Sequence, residues 1–252
     1  MRTLMLASVL LFAVSCAAGG GAAVTSNDAV SSTPKAPYGI WGEAVSTATS
    51  VEGRTIEAYK LGDGPTTVLF VGVVHGSEPV GQGLLGRFIE ELKLNKAALA
   101  GRTAIVVPVL NPDGLAANTR TNARGVDLNR NFPAGNFDAS ARRGPEPLSE
   151  PESRFLHALI GTWKPVRIVA VHQPLRCINF DGPVGDLAAE MARLSLFPLK
   201  SDIGFPTPGS LGSWAGGDLG IGVITLEHTP SNDVLQAWIQ HRESLLLALK
   251  GL

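Results

Sequence analysis

Excess charge of either sign is missing from this sequence: 21 Lys and Arg stand against 22 Asp and Glu, a formal net charge of −1. So balanced a chain offers no basic face for nucleic acid and no polybasic attraction to an anionic membrane surface. Cysteine occurs only twice, at Cys16 and Cys177, which excludes a disulfide scaffold. Heptads and internal repeats are absent, so coiled-coil and repeat architectures drop out. Long apolar runs are scarce too. The one at Leu4 to Val14 is too short to span a bilayer as a mature helix.

That run reads instead as a targeting segment. Arg2 supplies a positive start and Leu4 to Val14 the apolar stretch. Ala13-Val14-Ser15-Cys16 resembles a bacterial lipoprotein cleavage site, with Ala13 where such sites usually carry Leu. The expectation is a signal peptide at residues 1–15 and a lipid on Cys16, placing the protein in the cell envelope or periplasm. The alternative is an ordinary secretory signal cut near Ala17 or Ala18. Residues 16–37 are rich in Gly, Ala, Ser and Thr, with Pro34 and Pro37, and read as a flexible linker. Any membrane contact would run through the lipid, and nothing points to an obligate protein partner. Cys177 is then a lone thiol in an exported domain, expected to serve packing, with the core held by burial alone.

Residues 38–252 have the length of one α/β domain. Uninterrupted apolar stretches at Thr66–Val74, Thr103–Leu110, Arg167–His172 and Ile221–Glu227 predict buried strands, and Thr55–Leu61 predicts an edge strand. Helical spacing appears over Val80–Leu94, from the capping-box pattern at Ser149–Glu152 to Trp163, over Val184–Leu196 and over Asn232–Leu249. In the last of these Val234, Leu235, Trp238, Ile239 and Leu245–Leu249 form the expected apolar side. Strands alternating with helices imply a single three-layer domain, a mixed, mostly parallel twisted sheet with helices on both faces. Between Asn111 and Leu148 lies a long polar stretch, and a loop of that length inside a compact domain points to function.

His75-Gly76-Ser77-Glu78 follows the first buried strand and precedes Pro79, which suits the first turn of a helix. An imidazole and a carboxylate three residues apart can grip one cation. His172, at the end of another strand, offers the third protein ligand that a catalytic zinc site requires. Glu227 closes a further buried strand. Alone, His-x-x-Glu is a weak signal, more often a loop His and a capping Glu than a metal site. Four such residues at strand ends strengthen it.

With these stand Asn111-Pro112-Asp113-Gly114, Arg120 with Asn122–Pro133 (Asn-Ala-Arg-Gly-Val-Asp-Leu-Asn-Arg-Asn-Phe-Pro), His172-Gln173-Pro174-Leu175, Asp181-Gly182-Pro183, Gly209–Trp214 and Ile224-Thr225-Leu226-Glu227. In these stretches and their order, over roughly residues 40 to 230, the chain resembles the zinc metallocarboxypeptidase family, and within it the bacterial murein peptide amidase branch. The resemblance implies one Zn2+ per chain on His75, Glu78 and His172, with Glu227 as general base. It implies oxyanion stabilisation by Arg120, and Asn129 and Arg130 holding a carboxylate on the leaving side of the substrate. Asp127 would orient a zinc-binding histidine.

The implied reaction is hydrolysis of a peptide or amide bond in a murein peptide, between γ-D-glutamate and meso-diaminopimelate. Other readings are a carboxypeptidase on other small peptides, an N-acyl amino acid hydrolase of the desuccinylase or aspartoacylase type, or a non-catalytic envelope binding protein. Two features depart from the family. Many members set a tyrosine over the substrate carboxylate, whereas Tyr38 and Tyr59 both precede His75 here. Glu227 is followed by His228, to which no role is assigned.

Overall fold

A computed structural model describes residues 41–252. The leader at 1–15, Cys16, the linker and the expected start of the domain at residue 38 lie outside the described residues. Eight strands form one sheet in the order β1-β2-β4-β3-β5-β8-β6-β7. They are β1 (Ser46–Thr49), β2 (Thr55–Leu61), β3 (Thr66–Val71), β4 (Arg102–Val107), β5 (Arg167–His172), β6 (Cys177–Asp181), β7 (Leu199–Lys200) and β8 (Gly222–Glu227). The centre, β4-β3-β5-β8, is parallel throughout, and antiparallel pairing is confined to β1-β2, β2-β4 and β6-β8.

The helices are α1 (Val80–Leu94), α2 (Pro112–Ala117), α3 (Pro151–Trp163), α4 (Gly185–Ser195) and α5 (Val234–Lys250). Successive residues of a strand point to opposite faces, so each central strand feeds two cores. On one face Val68, Phe70, Val106, Val169 and Ile224 pack against α1, α4 and α5. On the other, Leu69, Val71, Ile105, Ile168 and Val223 pack against α3 and the segment holding Leu128 and Phe132. Leu84, Leu85, Phe88, Ile89 and Leu92 of α1 are all fully buried, as their spacing predicts, each contributing roughly 1.5–3 kcal/mol of hydrophobic stabilisation. The expected three-layer α/β architecture is therefore the observed one. Among the described residues no helix is long and apolar enough to cross a membrane.

Several local expectations are corrected. The sheet edge is β1, not β2. The expected strands through Val74 and Leu110 stop at Val71 and Val107, where the chain turns into the loops that carry the site. Within the long polar stretch lies α2, opened by Asn111, whose side chain accepts from Gly114 N, and closed by left-handed Asn118. The Ser149–Glu152 capping box does not form. Glu150 is the residue preceding α3, and Ser149 Oγ and Glu152 turn to other partners. In the Gly-rich stretch that begins at Gly209, Gly212–Asp218 forms a wide helical turn. Leu235 and Ile239 of α5 face outward, 53% and 74% exposed, while His241 and Ser244 are buried.

This topology fixes where a site can form. The connection from β3 runs through α1 to β4 on one side, whereas β5 is followed by β6, which lies towards the opposite edge. Neighbouring strands whose connections diverge leave a crevice beyond their C-terminal ends. His75 follows β3, His172 ends β5 and Glu227 ends β8.

Candidate active site

The link between β3 and α1 carries His75 and Glu78, and its path is tightly specified. Gly72 N donates to Val107 O, and Leu110 N and Asn111 N donate back to Gly72 O and Val73 O. Gly76 presses against α2, where a Cβ would lie 1.8 Å from the Gly114 carbonyl carbon. No side chain fits there, so the backbone itself sets the distance between the zinc-type motif and the Asn111–Gly114 turn.

His75, Glu78 and His172 are all buried, and their donor atoms lie within 4.8 Å of one another. His75 Nδ1 is 2.8 Å from Glu78 Oε1, His172 Nδ1 is 2.9 Å from Glu78 Oε2, and the two Nδ1 atoms are 3.1 Å apart. His75 Nε2 meets Asp127 Oδ1 at 3.0 Å. A carboxylate can only accept, so Nε2 carries the proton in that contact and Nδ1 is left with its lone pair towards Glu78. Two acceptors at 2.8 Å demand a positive centre between them. Either a second ring proton or a metal ion meets that demand, and two imidazoles with a carboxylate are a zinc donor set. Ligand atoms on a tetrahedral zinc with bonds of about 2.0–2.1 Å sit roughly 3.3 Å apart. The observed edges fall just inside that, so the residues fit the ion the sequence implies.

Electrostatics agree. Burial would raise the Glu78 carboxyl, but hydrogen bonds and charge from His172 and His75 outweigh it and hold the group well below the usual carboxylate range. Burial would likewise depress His75, yet its bonds to Asp127 and Glu78 push it above the ordinary value. In Asp127 burial is overcome by His75 first, then by Arg120 and Arg130, and that carboxyl is also held low. The cluster is thus organised around anionic carboxylates awaiting positive charge.

The remaining expected residues line the same cleft, a cavity of about 290 Å³ that includes Arg120, Asn129, Arg130 and Glu227. Arg120 reaches Asp127 Oδ2 through Nε at 3.0 Å and Glu78 Oε1 through Nη1 at 3.1 Å. Asn129 Oδ1 accepts from Leu211 N at 3.0 Å. Arg130 is half-buried, and burial lowers its pKa. Glu227 stands in register with His172 across β5 and β8, is 8% exposed, and accepts from Leu175 N at 3.2 Å. Cys177 pairs in register with Glu227 from β6 and is buried, with its thiol pushed up by burial first and by the nearby carboxylate second. That placement suits the packing role expected of it. His228 turns away from the cleft, its ring bonded to His241 on α5 at 2.9 Å.

The sequence marked Gln173 only as part of the stretch His172–Leu175 and assigned it no role. Its N–H donates to Glu78 Oε2, its Oε1 accepts from Val80 N at the start of α1, and its Nε2 donates to Thr229 O and Ser231 O. One side chain therefore joins the ends of β5 and β8 to the helix behind Glu78. Only its place beside His172 could have drawn attention to it. Asn122 and Asn131 were quoted only as motif letters. Buried, they bond the long loop to Glu150, Glu152 and the carbonyls of Arg143 and Glu146.

Comparison with known proteins follows the same lines. Murein peptide amidase A of Escherichia coli (strain K12) is 40% identical over 141 residues, covering 50% of this chain and 57% of that protein. The enzyme of the same name from Vibrio campbellii is 32% identical over 141 residues, covering 50% and 56%. The match therefore spans little more than half the length of these curated relatives. A crystal structure of murein-tripeptide amidase from Escherichia coli O157 superposes with a TM-score of 0.67 at 29% identity, over 87% of this chain and 97% of that one. Carboxypeptidase A from Helicoverpa armigera shares the fold, with a TM-score of 0.72 at 19% identity over 82% and 68%. The family model described as zinc carboxypeptidase matches residues 37–185, a stretch that holds every expected site residue except Glu227. By that match the chain belongs to the zinc carboxypeptidase family.

Proposed function

We propose that this chain is a zinc-dependent amidase of the cell envelope that cuts the bond between γ-D-glutamate and meso-diaminopimelate in murein peptides. The observation that carries the reading is the convergence of three buried metal-type donors, His75, Glu78 and His172, beside a buried carboxylate, Glu227, on the next strand. The likeness to murein peptide amidases supports the substrate class.

A zinc ion held by the three donors would act as a Lewis acid and bring the pKa of a water in its open position towards about 7. Glu227 takes the proton of the attacking water and returns it to the leaving amine nitrogen, general acid–base work that contributes roughly 10²–10⁴ in rate. Arg120 donates to the oxygen that gains charge as the carbonyl carbon becomes tetrahedral. Its remaining Nη2 has no hydrogen bond among the described residues, and its side chain is 40% exposed, so a donor stays free. Arg130 and Asn129 hold the carboxylate of the leaving residue, a task that suits a planar guanidinium. Asp127 keeps His75 in the tautomer that directs Nδ1 inward.

The leader at 1–15, a lipid on Cys16 and the linker at 16–37 belong to the same proposal, which sets the domain from residue 38 on a tether at the envelope. Substituting Cys16 by Ser should abolish labelling of the expressed protein by radioactive palmitate; unchanged labelling would sink the anchor. The activity itself is tested by incubating the chain, produced without its leader, with L-Ala-γ-D-Glu-meso-diaminopimelate. Free diaminopimelate should appear, stop with a zinc chelator and return with added zinc. Folded, zinc-loaded protein that releases none would refute this substrate.

A further inference from the structure

The loop after β4 brings more positive charge to the cleft than the chemistry above employs. Beside the first cavity opens a second, of about 450 Å³, whose lining includes Arg120, Asp127, Arg130, Ser140, Arg142 and Arg143. Four guanidinium groups share this space with one carboxylate, and that carboxylate is already bonded to His75 and Arg120. Arg143 pairs with Asp138 at 2.7 Å. Neither Arg130 nor Arg142 has a carboxylate within 4 Å among the described residues. The Arg130 side chain bonds there only to its neighbour's carbonyl, Asn129 O, at 2.6 Å. Burial depresses the Arg130 guanidinium, Asp127 opposes that, and Arg120, Arg143 and Arg142 add to it. Like charges gathered in a partly enclosed space are unfavourable unless an anion completes the set.

The cations are held there by construction. Ser140 and Gly144 form an antiparallel bridge that closes the turn carrying Arg142 and Arg143. Asp127 N donates to Arg142 O at 2.7 Å, and Asn131 Nδ2 donates to Arg143 O at 2.7 Å. The turn is therefore tied to the strip of chain that orients His75. Arg142 itself is exposed, and its side chain makes no hydrogen bond among the described residues.

Arg130 and Asn129 account for one carboxylate of the proposed substrate. We infer that Arg142, with Arg143 beside it, binds a second carboxylate, so that the chain selects peptides bearing two free carboxylates close to the scissile bond. This rests on the murein reading above. In a γ-linked glutamyl peptide the second carboxylate is the free α-carboxylate of the glutamyl residue. The α-amide, isoglutaminyl, is its neutral counterpart of the same shape, and a charge-assisted hydrogen bond distinguishes the two.

The test compares steady-state kinetics of the zinc-loaded full chain on L-Ala-γ-D-Glu-meso-diaminopimelate and on its α-amide. Wild type should show about a tenfold higher KM for the amide with kcat within about twofold. In Arg142→Gln/Arg143→Gln the two substrates should differ by no more than about twofold in kcat/KM, and Arg142→Glu alone should favour the amide. Arg142 is exposed, so the single variant gives a readout even if the double variant folds poorly. Equal KM values in wild type, or an intact preference in the variants, overturn the subsite and leave the amidase reading standing. Cleavage of neither peptide removes both.

Discussion

Asp127 carries the sharpest prediction, because one carboxylate serves three partners. Its Oδ1 accepts from His75 Nε2 and from Asn129 N, each at 3.0 Å, and its Oδ2 accepts from Arg120 Nε at 3.0 Å. Asp127→Asn keeps the volume and removes the charge. If the amide oxygen stays on His75, the amide nitrogen must face Arg120 Nε, donor against donor. If it flips, the amide hydrogens face His75 and Asn129 N instead. No orientation satisfies all three. Loss of a carboxylate behind a metal-binding histidine costs about 10–100-fold in metal affinity, or roughly 1.4–2.8 kcal/mol. Competition against a chromophoric chelator measures this, with circular dichroism as the check on folding. Activity should fall further than zinc affinity, because Arg120 is displaced as well. Folded Asp127→Asn protein whose zinc Kd lies within about threefold of wild type would refute the reasoning.

Glu227→Gln should keep one zinc per chain by atomic absorption while kcat drops by about 10²–10⁴; retained turnover would remove the general base. Gly76→Ala forces a Cβ to 1.8 Å from backbone and should cost at least roughly 3 kcal/mol in urea unfolding; wild-type stability would mean the link is looser than described. His241 is held neutral, its pKa lowered to about 3 by burial first and by His228 second. A folded-state value below the unfolded one, about 6.5, means the neutral ring stabilises the fold above that pH and the contribution is lost as pH falls towards 3. Between pH 6.5 and 5 wild type should therefore lose roughly 2 kcal/mol that a folded His241→Asn variant does not; parallel urea curves for the two would contradict this.

Where apolar runs are continuous, the fold was legible. β5, β8 and α1 fall where the pattern predicts, and β3 differs only in ending at Val71, because a strand buried on both faces needs little but apolar residues. The pattern failed where burial is polar. In α5 the buried face includes His241 and Ser244, held by Ser195 on α4: His241 Nδ1 meets Ser195 Oγ at 3.1 Å, and the two serine hydroxyls are 2.9 Å apart. Periodicity weighs those residues as surface and Leu235 and Ile239 as core, so it shifts the helix in phase. β6 was passed over for a related reason. Cys-Ile-Asn-Phe-Asp mixes apolar with polar residues because Asn179 and Asp181 face the cleft. β1, half-exposed along its length, offers no apolar signal at all.

The site divides along a similar line. His75 and Glu78 are three residues apart, and a local pattern can propose them as partners. Glu227 lies far from His75 along the chain, and no spacing relates the two. Their meeting depends on β8, the last strand in sequence, pairing with β5 in a register that sets Glu227 opposite His172. A slip of one residue would turn the Glu227 side chain to the other face of the sheet, away from the cleft. What holds the register is spread along the strands, in Val223, Ile224 and Leu226 packed into two cores, and at the edge in Gln173, which bonds the loop after β8 to the end of β5. The geometry of the candidate site is thus a consequence of core packing well away from it. A Gln173 substitution should accordingly act on turnover through the positions of Glu78 and Glu227, since the glutamine itself offers the reaction no acid or base.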